Sequence, residues 1–405
     1  MSQIENVDVL IVGSGPSGTS TALHLVNKNP SWAERIIIVE KETHPREKLC
    51  GGGVTHLGQN VLARLGLSFD VPNFEVKEAR LLYQDQSYSF FADPVFRITR
   101  RAEFDHWLVQ TAEKLGIQVH QGEAVLNVTP YEEYVEVETE KGIFHAKVLV
   151  AADGSRSFVR RKLKWPGESH VARLMEVLTP EEATSQSQFR EGIAIFDFTP
   201  MINGLQGYYW DFPSYIDGQP VMNRGIFDSR ARTERPKADL KKILRDSLAE
   251  RDRDLGEYKL KGHPIRWWNR KNRFAMPRIL LVGDAAGADP LVGEGISFAL
   301  GYGDVAAGAI ENAFSNQDFS FEDYRDRLLK HPLFHQLDIR TRVAKMAYKV
   351  QSPWLTRAVW LAVGEGLRRT RWGDPSFDPT ERPHFRLLDA NNPPVLSLKH
   401  EFPND

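Results

Sequence analysis

Gly13, Gly15 and Gly18 stand at the spacing G-x-G-x-x-G between a short apolar run, Val7 to Val12, and a helical stretch that should stop near Asn29-Pro30. At that spacing Gly13 allows a tight turn, Gly15 lets the backbone approach a pyrophosphate, and Gly18 lets helix and strand pack closely. With Pro16 and Ser17, the turn opens a helix whose N–H groups and positive dipole face the phosphates. A second apolar run, Arg35 to Glu40, ends on an acid 22 residues past Gly18, with Lys41 after it. Glu40 is placed to accept hydrogen bonds from a ribose hydroxyl pair. The chemistry of this unit is dinucleotide binding.

Two more clusters sit at the ends of apolar runs. Ala151-Ala-Asp153-Gly154-Ser-Arg156-Ser157 closes the run Val148 to Ala152, and Gly283-Asp284 closes Arg278 to Val282. The latter continues through Asp289-Pro290-Leu-Val-Gly293-Glu294-Gly295-Ile296 into a long helical stretch of small residues. Asp284 is suited to ribityl or ribose hydroxyls. A helix starting near Gly295 stabilises negative charge at its positive end, such as that on N1 and O2 of a reduced flavin. Either cluster alone is an ordinary turn. All three, in this order and each on a strand end, point to FAD.

The three motifs resemble those of the flavin monooxygenase superfamily that includes the aromatic hydroxylases. Arg101-x-x-Phe104-Asp105-x-x-Leu108 is similar to the helix start that places an Arg near the FAD phosphates there. Pro45-Arg46-x-Lys48-x-Cys50-Gly51-Gly52-Gly53 and Tyr208-x-Trp210-x-Phe212-Pro213 resemble the geranylgeranyl reductase family within it. That resemblance implies a non-covalent FAD touched by Arg46, Arg101 and Ala124, with Cys50, Gly51 and Gly52 beside the flavin as the catalytic loop. It also implies a lipophilic polyprenyl substrate against Tyr208, Trp210, Phe212 and Pro213, and NADPH or a reduced ferredoxin as electron donor.

The reaction expected is hydride delivery from reduced FAD to a trisubstituted alkene, an acid supplying the second hydrogen. Cys50 is either that acid or a small buried side chain. Tyr209, Trp267 and Trp268 join Tyr208, Trp210 and Phe212 as expected cavity aromatics, whose faces favour developing positive charge. One rival is a monooxygenase working through a C4a-hydroperoxide on an aromatic substrate. A halogenase, with Lys77 as its lysine, is another. An electron-transferring flavoprotein docking on a protein partner is a third, of another class.

Periodicity supplies the elements that must hold these residues. Phe104, Trp107, Leu108, Thr111, Ala112 and Leu115 recur at helical steps from Arg101, and Gly116 is placed to cap them. From Ile117 the period falls to two, and Tyr134 to Thr139 alternates. Between about Pro166 and Arg273 short strands dominate, with one helix near Ala238 to Leu248. The fold class expected is α/β: a discontinuous Rossmann-type FAD domain (1–80, 97–165, 274–330) with an inserted antiparallel substrate sheet (81–96, 166–273). A helical C-terminal region with an irregular tail (331–405) completes it.

Composition narrows the setting. A net charge of −2 gives no reason to expect nucleic acid. The single cysteine excludes an intrachain disulfide, and neither a secretory signal nor a membrane-length apolar run is present, so a cytoplasmic protein is expected. Ser352 to Leu367, followed by Arg368 and Arg369, suits a helix lying in a membrane interface or over the cavity. The basic run Arg156, Arg160, Arg161, Lys162 and Lys164 is a solvated face or a phosphate contact. His331 and His335 are four apart without an acidic partner, so no metal site is expected. The sequence sets no oligomeric state.

Overall fold

The computed structural model describes residues 4–167, 170–184 and 186–348. Continuous apolar runs and alternating ones sort the chain into two sheets. Ile36–Glu40 and Ile279–Leu281, buried throughout, and Ile4–Val12 and Ile143–Ala151, continuously buried over their last four residues, join Gln118–Gln121 in a parallel array. Its order runs 279–281, 143–151, 4–12, 36–40, 118–121, with Ala275–Met276 antiparallel on one edge. The alternating strands Val125–Pro130 and Val135–Thr139 attach antiparallel to Ile143–Ala151. This is the parallel-sheet pattern expected of strands covered by helices on both faces.

The second sheet has the order 261–266, 171–180, 219–228, 207–216, 193–197, 73–83, 86–99, 53–55. It is antiparallel except where Ile193–Asp197 runs parallel to Asn73–Tyr83, so the expected antiparallel insert is a mixed sheet. Its first contribution is also wider than 81–96. Asn73–Tyr83 and Gln86–Thr99 form one long hairpin whose register shifts between Val76 and Glu78, and Gly53–Thr55 pairs on its outer edge. The bulge shifts the phase of the alternation but the ladder runs on past it, so the whole of 73–99 belongs to this sheet.

Helix Pro16–Lys28 packs on the first sheet beside the long helix Ile296–Asn316. Their crossing is close because it is made of small residues: a Cβ on Gly303 would lie 2.5 Å from the Ser20 carbonyl carbon. Helix Arg101–Lys114 buries Phe104, Leu108 and Ala112, as its periodicity predicts. Helix Pro332–Ala347 covers the far side, with the His331 ring accepting from the Leu333 N–H at its start. Among the described residues no helix is long and apolar enough to cross a membrane. The interfacial helix expected around Trp354 lies outside the described residues.

The crossing makes a paired prediction. Gly303→Ala should lower stability by about 1–3 kcal/mol, since the methyl must displace backbone. Gly308→Ala, in the same helix with nothing within 4 Å of its Cβ position, should raise it by up to about 1 kcal/mol. Urea unfolding of both variants beside wild type checks the pair.

Candidate active site

A cavity of about 1240 Å³ lies between the two sheets, walled by all three motifs and by the aromatic strand. Drug-sized ligands occupy roughly 300–1,000 Å³, so this one has room for a dinucleotide and a second molecule.

One end is the glycine turn. Gly13 has φ +104°, and a Cβ on Gly18 would sit 2.0 Å from the Gly13 carbonyl oxygen, so both are fixed by the fold itself. Gly15 differs. Its φ is −70°, and a Cβ there would meet only Arg46 Nη2 at 3.6 Å and Arg101 Nη2 at 4.0 Å. The open side of Gly15 is a cradle faced by two guanidinium groups. Helix Pro16–Lys28 begins there with no side-chain cap and no acid in its first turn, which leaves its positive end for an anion.

The guanidinium groups are held by carboxylates. Arg101 makes a bidentate contact to Asp105 at 2.7 and 2.8 Å, and Arg46 Nη1 shares that carboxylate at 3.2 Å. Glu40 accepts from the Ser14 N–H and hydroxyl at 3.0 Å each and from the Glu42 N–H at 3.1 Å. Burial pushes the Glu40 carboxyl up, but Arg46 and these donors outweigh it and hold it below the usual range. Arg46 Nε is buried without a hydrogen-bond partner.

The other two motifs stand across the cavity. Asp153 Oδ2 accepts from the Val159 N–H, while its Oδ1 is buried with no partner, and burial raises its pKa. Asp284 Oδ2 accepts from the Ser155 hydroxyl at 3.0 Å. Helix Ile296–Asn316 starts at Gly295, again without a side-chain cap or an early acid. Its entry loop is fixed from behind by Arg340, whose Nη1 lies 2.7 Å from both Asp289 and Glu294. Glu294 also accepts from Thr55 Oγ1 at 2.5 Å. Two bare helix ends and two arginines as donors, with two wall aspartates as acceptors, fit the phosphates and hydroxyls of FAD.

The aromatic end is built on strand Gly207–Ile216. Alternation turns Tyr208, Trp210 and Phe212 toward the cavity, where Phe96, Phe196 and Phe227 join them. Phe212 meets the Cys50–Gly52 loop directly, since a Cβ on Gly51 would lie 3.1 Å from its ring. Trp210 Nε1 donates to Asn223 Oδ1 at 2.9 Å, and Asn223 Nδ2 donates to the Cys50 carbonyl at 3.0 Å. The Cys50 N–H donates to Glu176 at 3.1 Å. Burial pushes the Cys50 thiol up, so it keeps its proton, and pushes the Glu176 carboxyl up to about 7. Beside them Lys48 Nζ lies 2.6 Å from His263 Nε2.

Most of the sequence-predicted residues meet at this cavity. Its wall contains Gly13, Gly15, Pro16, Ser17, Glu40, Lys41, Arg46, Cys50, Gly51, Gly52 and Arg101. Ala124, Asp153, Gly154, Asp284, Gly293, Gly295 and Ile296 also belong to it. Gly18, Gly283 and Pro290 stand behind it: a Cβ on Gly283 would lie 2.4 Å from Ser17 Oγ, and the Pro290 carbonyl accepts from Ser229. Pro213 falls on the other face of its strand, outside the wall.

Tyr209, Trp267 and Trp268 also lie outside the wall. Tyr209 packs in a separate cluster with Leu244 and Leu248, Trp267 stacks on His170, and Trp268 lies in the core against Phe274. Lys77 is exposed beside Gly192, away from the cavity. In the basic run, Arg160 is buried and donates to the Ala285 carbonyl, while Arg156 and Arg161 reach the cavity rim. Glu176, Asn223, His263 and Arg340 were not picked out from sequence. Glu176 had one signal, a polar residue in step with the inward Ala172 and Leu174 of its strand.

The family described as FAD binding domain matches residues 6–301. A digeranylgeranylglycerophospholipid reductase from Methanosphaera stadtmanae is 28% identical over 349 residues, covering 81% of this chain and 84% of its own. A geranylgeranyl bacteriochlorophyll reductase-like protein from Thermoplasma acidophilum has a similar fold, with TM-score 0.72, 24% identity and coverage of 90% and 92%. So has the p-nitrophenol 4-monooxygenase of Pseudomonas putida, with TM-score 0.66, 17% identity and coverage of 92% and 95%.

The two glycines should separate binding from folding. Gly15→Glu should leave the melting temperature of the FAD-free protein within a few degrees of wild type yet abolish FAD retention, its carboxylate taking the place of a phosphate. Gly18→Ala should instead fail to fold or melt far lower. Flavin absorbance and thermal melts distinguish the two.

Glu176 makes a pH prediction. Its folded pKa, about 7, lies above an unfolded value near 4.3, so its contribution is complete below the unfolded value and is lost as pH rises through 7. Glu176→Gln should therefore gain stability on wild type between pH 5 and pH 8, by up to about 3 kcal/mol. Urea midpoints at the two pH values check this.

Proposed function

The chain belongs to the FAD binding domain family and is an FAD-dependent oxidoreductase, and from that premise we propose that it saturates carbon–carbon double bonds of a polyprenyl chain of geranylgeranyl type. One observation carries the reading: an apolar aromatic chamber ends on the Cys50–Gly51–Gly52 loop, with the Phe212 ring against Gly51. The similarity to a digeranylgeranylglycerophospholipid reductase supports it.

When bound, FAD supplies two-electron hydride chemistry. The chain's own residues bind, orient and protonate. Arg46, Arg101 and the bare end of helix Pro16–Lys28 hold the phosphates, Glu40 a ribose, and Asp153 and Asp284 the remaining hydroxyls. Phe96, Phe196, Tyr208, Trp210, Phe212 and Phe227 exclude water from an isolated alkene and present ring faces to developing positive charge. The Tyr208 hydroxyl donates to the Val292 carbonyl at 2.6 Å, which fixes its ring at the chamber wall. Cys50, protonated at neutral pH, supplies the second hydrogen. The electron donor in this reading is NADPH or a reduced ferredoxin, reaching the cavity without a nucleotide domain of its own. The setting is cytoplasmic, with peripheral membrane contact to reach a lipid.

The test is to photoreduce the FAD-loaded protein without oxygen, add a geranylgeranyl lipid, and follow flavin absorbance and product mass. Reoxidation with a gain of two hydrogens per bond is expected. No anaerobic change, with an oxygenated or halogenated aromatic product only once oxygen is admitted, would replace the reductase by a monooxygenase or halogenase. Cys50→Ala should retain FAD and slow the anaerobic step by roughly 10²-fold or more.

A further inference from the structure

Lys48 and Cys50 lie two residues apart on one loop, and both are wall residues of the cavity. Lys48 Nζ points to the ring of His263, on strand Lys261–Arg266 of the other sheet, at 2.6 Å. His263 is also a wall residue of a second, outer groove of about 490 Å³ that runs past Arg156, Arg173 and Lys241. The imidazole therefore forms part of the partition between the substrate cavity and a solvent-facing groove, with an ammonium on its inner side. Nothing in the binding of FAD or of an apolar chain requires this pair.

We infer that Lys48 and His263 are the proton inlet of this cavity: the Lys48 ammonium recharges the acid that protonates the substrate, and His263 holds that ammonium at the partition. The inference rests on the reductase reading. Each saturation forms two C–H bonds at the cost of one π bond. One hydrogen arrives as hydride from two-electron-reduced flavin, the other as a proton as the Cys50 S–H bond breaks. That leaves a thiolate, which must be reprotonated before the next bond is reduced. Lys48 gives up an N–H proton to the sulfur, and the resulting amine takes a proton back from water entering by the groove. The sum is one hydride and one solvent proton per double bond.

The surroundings set the direction of transfer. Burial lowers Lys48 to about 8, with Arg101 and Arg46 pushing the same way and Asp284 and Cys50 opposing. Burial raises the Cys50 thiol above its ordinary value despite Arg101, so a proton passes downhill from ammonium to thiolate. His263 is held neutral by burial and by the Lys48, Arg156 and Arg101 charges, against Asp284. A neutral ring accepts the Lys48 N–H through Nε2, which puts its own hydrogen on Nδ1. Glu176 hydrogen-bonds the Cys50 N–H and positions the loop without taking part in the transfer.

The experiment uses the FAD-loaded full chain. Lysine labelled with ¹³C at the ε-carbon, assigned by loss of a signal in Lys48→Arg, is titrated by NMR, and a midpoint near 8 is expected in place of about 10.4. In anaerobic assays with a geranylgeranyl lipid, Lys48→Met should complete its first reduction near the wild-type rate, on the proton already held by Cys50. Later turnovers should be at least ten-fold slower, and the fall in wild-type rate above about pH 8 should vanish. His263→Leu should move the Lys48 midpoint to lower pH, and His263→Gln, which keeps an acceptor, should largely restore it. If Lys48→Met loses FAD, Lys48→Arg takes its place, since an arginine keeps the charge but does not release the proton. An ordinary Lys48 midpoint, or wild-type steady-state rates in both Lys48 variants, overturns the inlet and leaves the reductase reading intact. A wild-type protein that reduces no alkene overturns the reading, and the recharging role with it.

Discussion

The site depends on one buried carboxylate. Asp105 has no exposed side-chain surface, yet it holds Arg101 through two hydrogen bonds and Arg46 through an ion pair. Removing a partner from a buried ion pair of this kind typically costs about 3–5 kcal/mol, because the remaining charges stay in low dielectric. Here the loss would free two cations rather than one. Asp105 thereby ties helix Arg101–Lys114 to the loop that follows strand Ile36–Glu40, and that loop continues into Lys48 and Cys50. The glycine-turn end and the aromatic end of the cavity thus share one electrostatic anchor.

A second buried cluster does the same from the opposite side. Arg340, on the last described helix, pairs with Asp289 and Glu294 in the loop before helix Ile296–Asn316, and Glu294 reaches Thr55 beside the Cys50–Gly52 loop. The cavity is therefore held between two charge networks, each crossing between elements far apart in sequence. Between them the aromatic strand touches the loop through Phe212 on Gly51 and through the Trp210–Asn223–Cys50 hydrogen bonds.

Much of this was legible in the chain. The glycine spacing specified a turn that the packing requires at Gly13 and Gly18, and helical periodicity located Arg101–Lys114 almost to the residue. Resemblance of the Tyr-x-Trp-x-Phe-Pro motif implied the facing of Tyr208, Trp210 and Phe212. Residue type was less informative for Tyr209, Trp267 and Trp268, because an aromatic side chain looks the same in sequence whether it packs in a core or lines a chamber. The extent of the second sheet was misjudged for a similar reason: a bulge between Val76 and Glu78 interrupts the period while the ladder continues.

Local pattern alone determined the parallel sheet, the three strand-end motifs and the chemistry of a dinucleotide cradle, since each is written in residues close together in the chain. Tertiary structure decided which distant polar groups complete it. Glu176 and Cys50 are 126 residues apart, and Lys48 and His263 are 215. No spacing rule links them, because their pairing follows from how two sheets close over one loop. Their ionisation is likewise a property of that closure: water is excluded only when the sheets meet, and exclusion is what moves a carboxyl up and an ammonium down.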